Sequence, residues 1–164
     1  MYLSLFYLDS RNAALLWSLH AYLVPTQKKV QVDANGKKNV TKFTIKDSQE
    51  SCIFFATTHQ QVEDHITYKK SKSESVQPFL IVVGNNICEV EHIYLYFDGI
   101  KYIFKNFVRA LDICFKIFYL FNLEYPIDSS FWQFIDAYFY NVNSGKFKNY
   151  TKVHIICDEL NNLN

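Results

Sequence analysis

The sequence predicts a mixed fold, of the α+β or α/β class, with one mixed sheet of about four strands packed by helices. Three observations carry that expectation. Two short runs rich in apolar and β-branched residues, "SCIFFATT" and "PFLIVV", flank a polar segment of helical character. That order invites a strand–helix–strand crossover with parallel strands. Next, "HIYLYFDGIKYIFK" sets Asp98-Gly99 between two β-rich runs, the signature of a hairpin closed by a two-residue turn. Two apolar helical segments then follow the hairpin. Strands are expected at 51–57, 78–83, 92–97 and 100–105, and helices at 11–24, 60–70, 106–123 and 130–142, in a single domain of 164 residues.

Local signals justify each element in turn. Asp9-Ser10 supplies an N-cap for the first helix, and Pro25 ends it. Residues 25–46 read as a lysine-rich loop or an exposed hairpin around Asn35-Gly36, because neither flank of that turn alternates cleanly. In the 60–70 helix, Val62, Ile66 and Lys69 share a stripe, with Glu63, Asp64, Lys70 and Lys72 outside it. The Asp98-Gly99 turn pairs Phe97 with Ile100, Leu95 with Tyr102 and Ile93 with Phe104, so these six side chains share one core face. The opposite face carries His92, Tyr94, Tyr96, Lys101, Ile103 and Lys105 and is amphipathic.

Helix 106–123 has only a narrow polar stripe, Arg109, Asp112 and Lys116, and is expected to be covered on most sides. Ser130-Phe-Trp-Gln133 matches a capping box opening helix 130–142, on which Gln133 and Tyr140 mark a solvent stripe that includes Asp136. The segment 143–164 is weakly specified. Val153, Ile156, Cys157 and Leu160 fit a helix, whereas Val153, Ile155 and Cys157 fit a strand.

Composition narrows the function classes. With 49% hydrophobic and 18% aromatic residues the chain has ample material for a core, and general disorder is excluded. So many aromatic rings also leave scope for an apolar patch that meets a partner. The net charge of +1 gives no overall field, but Lys28, Lys29, Lys37, Lys38, Lys42 and Lys46 cluster against the single Asp33. Arginine, the preferred side chain for bidentate contact with phosphate or guanine, occurs only as Arg11 and Arg109, which argues against sequence-specific reading of nucleic acid. Cys52, Cys88, Cys114 and Cys157 form no C-x-x-C pair, and the histidines lack ligand spacing, so no metal or other cofactor is implied. Free thiols point to a reducing compartment, cytoplasmic or nuclear. The N-terminus lacks the basic region of a signal peptide, and the charges within 104–123 argue against a membrane span.

The candidate chemistries are thin. "VQPFLIVVGNN" opens as a phosphate-binding loop can, but Gly84 stands alone, no Lys-Ser/Thr pair follows, and Glu89 and Glu91 would repel phosphate. The plainer expectation is that Gly84 lets a buried strand turn. Asp98, Asp112 and Asp136 could serve a two-metal nuclease only if they converged. Cys88 with His92 could form a nucleophile pair, but nothing nearby would lower the thiol pKa. The face with Tyr94, Tyr96, Lys101 and Ile103 could stack single-stranded nucleic acid or meet a protein, although such faces more often pack against a helix.

Over residues 77–142, "QPFLIVVG", "YLYFDGIKYIF", "RALDICFKIFYLFNLEYP" and "FWQFIDAYFYNV" resemble a widespread family of uncharacterised animal proteins, several of which look transposon-derived. The resemblance implies the order strand, hairpin, two helices, and no activity. The functional expectation is therefore a non-catalytic module that binds another protein or itself. The first alternative is a nucleic-acid-binding domain using the lysines of 28–46, and the second a metal-dependent nuclease.

Overall fold

A computed structural model describes residues 2–24, 28–32, 35–72, 76–143 and 150–163. The side chains of 2–8, 28, 29, 31 and 41 lie outside that description, as do Pro25, Asp33 and the expected break at 144–145. The chain divides into two compact units, Met1–Ser18 with Cys52–Tyr125 and Leu19–Ser51 with Pro126–Asn164.

The first unit holds one mixed sheet of four strands, in the order β3 (Ile53–Ala56), β4 (Phe79–Asn86), β5 (Glu89–Phe97), β6 (Ile100–Phe104). Strand β3 runs parallel to β4, Ile53 against Leu80, and α3 (His59–Lys72) links them. The remaining pairs are antiparallel, and the β5–β6 register is the one the Asp98-Gly99 turn predicts. Both turn residues have positive φ, +49° and +80°, the twist a two-residue hairpin requires.

Helices cover both faces of this sheet. Val62 and Ile66 of α3 pack on Ala56, Phe79, Ile81, Val83 and Tyr96. Lys69 completes the expected stripe by setting its ammonium 4.8 Å from the centre of the Phe79 ring. On the opposite face, Leu80, Val82, Ile93 and Leu95 are buried, and α4 (Phe107–Leu120) packs there with Phe107, Ala110, Leu111, Cys114, Phe115 and Phe118.

Several boundaries differ from expectation, each for an identifiable reason. The first helix, α1, spans Tyr2–Leu19 instead of 11–24, so Asp9 and Ser10 lie inside it. They still cap, but elsewhere. One Asp9 carboxylate oxygen accepts from the Phe107 N–H and from Asn106 Nδ2, each at 2.8 Å, at the start of α4. Ser10 Oγ accepts from the Val90 N–H at 3.1 Å. Gly84 does not end its strand. It sits in a bulge opposite Val90, where a Cβ would lie 2.0 Å from the Glu89 carbonyl oxygen, and β4 runs on to Asn86. Helix α4 stops at Leu120 because Asn122 turns left-handed (φ +49°) and the Leu123 N–H reaches the Phe118 carbonyl at 2.9 Å.

In the second unit, β1 (Lys28–Val32) and β2 (Lys38–Lys42) form an antiparallel hairpin, with Val32 opposite Lys38. The connection is thus longer than two residues, with Gly36 at φ +78°. The start of the expected 51–57 strand belongs to α2 (Ile45–Cys52). Its signal was legible, since Thr44 and Asp47 form a reciprocal cap: the Thr44 N–H donates to Asp47 Oδ2 at 2.7 Å and the Asp47 N–H to Thr44 Oγ1 at 3.1 Å.

The capping box expected at Ser130 does not form. Ser130 makes no side-chain cap, and Ser129 Oγ instead accepts from the Phe131 N–H at 3.1 Å. The expected 130–142 helix is α5 (Phe131–Ile135) followed by a π-helical segment, Asp136–Tyr140. The solvent stripe is also overturned, because Gln133 and Asp136 are both buried. Residues 151–161 resolve the two patterns of the tail as helix α6 (Thr151–Asn161), with Val153 and Ile156 buried.

Two substitutions test these constraints. Gly84→Ala should cost about 2–3 kcal/mol, read as a lower urea midpoint at unchanged slope, because backbone must move to admit the methyl group. Asp9→Ala should cost about 2 kcal/mol by stranding the Phe107 N–H, and Asp9→Asn less, since it keeps an acceptor.

Candidate functional site

The six lysines of the 28–46 segment come to one hairpin and the start of α2. Lys28 and Lys29 occupy β1 opposite Lys42 and Thr41. Lys37, Lys38, Lys42 and Lys46 are exposed. Lys46 lies 3.6 Å from Glu50, one helical turn on, which spends part of its charge within α2. Val30, Val32 and Val40 are exposed on the same hairpin.

The expected interaction face is divided. Tyr96 is buried among the residues under α3, and Tyr94 is partly buried beside it. Lys101 is exposed and pairs with Glu63 of α3, while Ile103 is 69% exposed. A helix thus occupies the inner half of this face and leaves the outer strand, β6, uncovered.

The carboxylates offered for metal each have another task or none. Asp98 is exposed at the hairpin tip. Asp112 forms an i,i+4 pair with Lys116 at 2.7 Å. Asp136 is fully buried and closes the end of the π-helical segment: Oδ1 accepts from the N–H groups of Val142 and Asn143 at 3.0 and 3.1 Å, and Oδ2 from Asn143 Nδ2 at 2.9 Å. Among the described residues, no three His, Cys, Asp or Glu side chains are grouped to hold a metal ion.

Cys88 lies in the β4–β5 turn, where its N–H donates to Asn86 Oδ1 at 2.9 Å. Its side chain lines a shallow cleft of about 270 Å³ with Ser10, Arg11, Ala14, Leu15 and Ser18. His92 instead meets His59 and Tyr94, with ring centres at 5.2 and 6.1 Å. All four cysteines are free, and burial, then Cys52, pushes the Cys114 thiol pKa up.

One cluster has no local signal in the sequence. His20 Nδ1 lies 2.8 Å from Ser48 Oγ, and Ser48 Oγ donates to Ser129 Oγ at 2.8 Å. The imidazole stacks on Phe131 at 4.6 Å, and its Nε2 meets no hydrogen-bond partner among the described residues. A serine beside a histidine has the elements of a nucleophile and its base. Here His20 and Ser48 are fully buried, so no substrate reaches them and the contact ties three separate segments together. With Nδ1 donating to Ser48, the bare Nε2 is an acceptor, the cheaper group to strand.

The exposed apolar surface for which composition left scope has a place that the sequence reading missed. Tyr119, Leu120 and Phe121, at the end of a helix expected to be covered, are 57%, 75% and 60% exposed. Phe121 packs on Phe97 at 5.3 Å between ring centres, and Phe97 pairs with Ile100 of β6. Ile100 and Tyr102 belong to the hairpin face read as core, yet they are 52% and 42% exposed because β6 is the sheet's edge. These residues stand in the sequence as "YLF", an apolar run that closes the helical segment.

Comparison with protein-family models, with curated proteins and with solved structures finds no match to this chain. No helix of the described residues is long and apolar enough to cross a membrane.

The buried histidine gives a pH dependence. Burial pushes the His20 pKa down to about 3 from an ordinary 6.5. Between those values the unfolded chain holds a proton that the folded chain refuses. The stability from neutral His20 is therefore complete above pH 6.5 and falls as the pH drops toward 3, by up to about 1.4 kcal/mol per pH unit. Urea titrations from pH 7 to pH 4 should show a steeper loss for the natural chain than for His20→Gln. Parallel slopes would remove this account.

Proposed function

We propose that this chain is a non-catalytic protein-interaction module, binding another protein or itself. The observation that carries the reading is the exposed apolar surface that runs from Ile100 and Tyr102 of β6 through Phe97 to Phe121 and Leu120 at the end of α4. A strand edge rimmed with apolar side chains is a template for association, and large aromatic and aliphatic groups are what a partner's pocket takes up. The dispersal of candidate catalytic groups supports the same reading: Asp136 is committed to backbone N–H groups, and Ser48 is sealed away. The free thiols, with Cys88 exposed, favour a reducing compartment such as the cytoplasm or nucleus. The resemblance of residues 77–142 to transposon-like animal proteins would accord with such a setting and implies no activity.

A second reading rests on the β1–β2 hairpin, where Lys37, Lys38 and Lys42 are exposed next to Val30, Val32 and Val40. Such a hairpin could lie along a phosphate backbone.

One experiment separates the two. Association with protein partners should weaken by about tenfold or more in Leu120→Ser/Phe121→Ser and change little with salt. Binding to DNA or RNA measured by anisotropy should instead fall steeply with salt and vanish in Lys37→Ala/Lys38→Ala/Lys42→Ala. Protein association insensitive to Leu120 and Phe121, beside salt-dependent nucleic-acid binding, would reverse the order of these readings.

A further inference from the structure

We propose that the outer edge of β6 pairs antiparallel with β6 of a second copy of this chain, about a two-fold axis through Tyr102; the inference rests on the interaction reading and names its partner. The backbone settles which groups the edge offers. Phe97 and Ile100 close a two-residue turn whose residues both have positive φ, so they exchange both N–H···O bonds. Bonded and non-bonded pairs alternate along an antiparallel ladder. Tyr102 and Phe104 therefore face Leu95 and Ile93 with their backbone groups, whereas Lys101 and Ile103 turn their N–H and C=O groups outward. Among the described residues nothing pairs with that outer edge.

A second antiparallel copy must also present outward groups, which limits the two-fold registers. Centring the axis on Lys101 sets Lys101 against itself. Centring it on Ile103 sets Lys101 against Lys105 twice. Like charges directly opposite one another destabilise a strand pair. An axis through Tyr102 avoids both. Lys101 then faces Ile103 of the second copy and the reverse, giving four N–H···O bonds. Ile100 meets Phe104, Tyr102 meets Tyr102, and Lys105 falls opposite Gly99, beside Asp98 of the opposite charge.

The ammonium of Lys101 keeps its partner Glu63, so facing an isoleucine strands no charge. The exposure of Ile100, Tyr102 and Ile103 leaves room for the incoming strand. The opposite sheet edge offers no such surface, because none of the four residues of β3 is exposed. Joining the two copies produces one continuous sheet and shelters the apolar edge, a symmetric contact of the kind most soluble dimers use.

The test exploits the outward N–H of Ile103. Since it makes no bond to β5, Ile103→Pro is tolerated as proline is on edge strands. Sedimentation equilibrium should show a concentration-dependent dimer for the natural chain and a monomer for Ile103→Pro, with unchanged circular dichroism. In a Cys88→Ser/Cys157→Ser background, Tyr102→Cys should form a disulfide dimer under mild oxidation. The facing Cα atoms of a non-hydrogen-bonded pair lie about 4.5 Å apart, within disulfide reach. Ile103→Cys should cross-link far more slowly, because the register sets it against Lys101.

A natural chain monomeric at high micromolar concentration overturns the inference, as does faster cross-linking through Ile103→Cys or an undisturbed Ile103→Pro dimer. If that monomer still binds a different protein through Leu120 and Phe121, the interaction reading survives and only the choice of partner fails.

Discussion

Every residue from Phe79 to Val83 is buried, and a strand sealed on both faces dictates what surrounds it. Neither face can meet water, so each needs its own layer of helix. The crossover helix α3 supplies one layer and α4, which follows the hairpin, supplies the other. Strands β3 and β5 flank β4 on either side and satisfy its N–H and C=O groups. The hairpin then places β6 where the helical layers thin out. Edge exposure at Ile100 and Tyr102 is a geometric consequence of that placement: fourteen residues of α4, about 21 Å of helix, cannot blanket both flanks of the sheet.

Polar groups fasten the elements where apolar packing alone would leave helix ends and strand irregularities unsatisfied. Asp9 accepts from the first N–H of α4, where a carboxylate also complements the helix dipole. Asn106 caps the next turn by accepting from the Arg109 N–H at 2.8 Å, and it donates to the same Asp9 oxygen. Ser10 takes up the Val90 N–H beside the bulge that Gly84 makes. In the second unit, His20, Ser48 and Ser129 do comparable work, joining groups 28 and 109 residues apart in sequence. Such buried networks stabilise only while complete, which is why the neutral state of His20 matters to the whole unit.

The proposed function rests on what this packing leaves exposed. The groups with chemical potential are either committed to structure, as Asp136 and Ser48 are, or scattered over the surface, as Asp98 and Cys88 are. The uncommitted resource is surface: an apolar strand edge continuous with the apolar end of a helix. Lys101 and Lys105 place charge along that edge, a feature that discourages indiscriminate strand pairing.

How much of this was legible in the sequence varies by element. The sheet and its β5–β6 register were, because strand alternation and the Asp98-Gly99 turn are local signals and Phe97 can pair only with Ile100 once that turn is set. The parallel pairing of β3 and β4 followed from the helix between them. Local signals failed where a side chain had two uses. Asp9-Ser10 and Ser130-Gln133 have the composition of helix caps, yet Asp9 and Ser10 serve other elements and Ser129, not Ser130, meets the Phe131 N–H. The candidate interaction face divides for the same reason: alternation puts Tyr96 and Ile103 on one face, but only the third dimension decides that α3 covers the first and not the second. Sequence periodicity fixes which residues share a face. Tertiary structure alone decides whether that face finds a neighbour, because burial depends on how far the covering helix reaches.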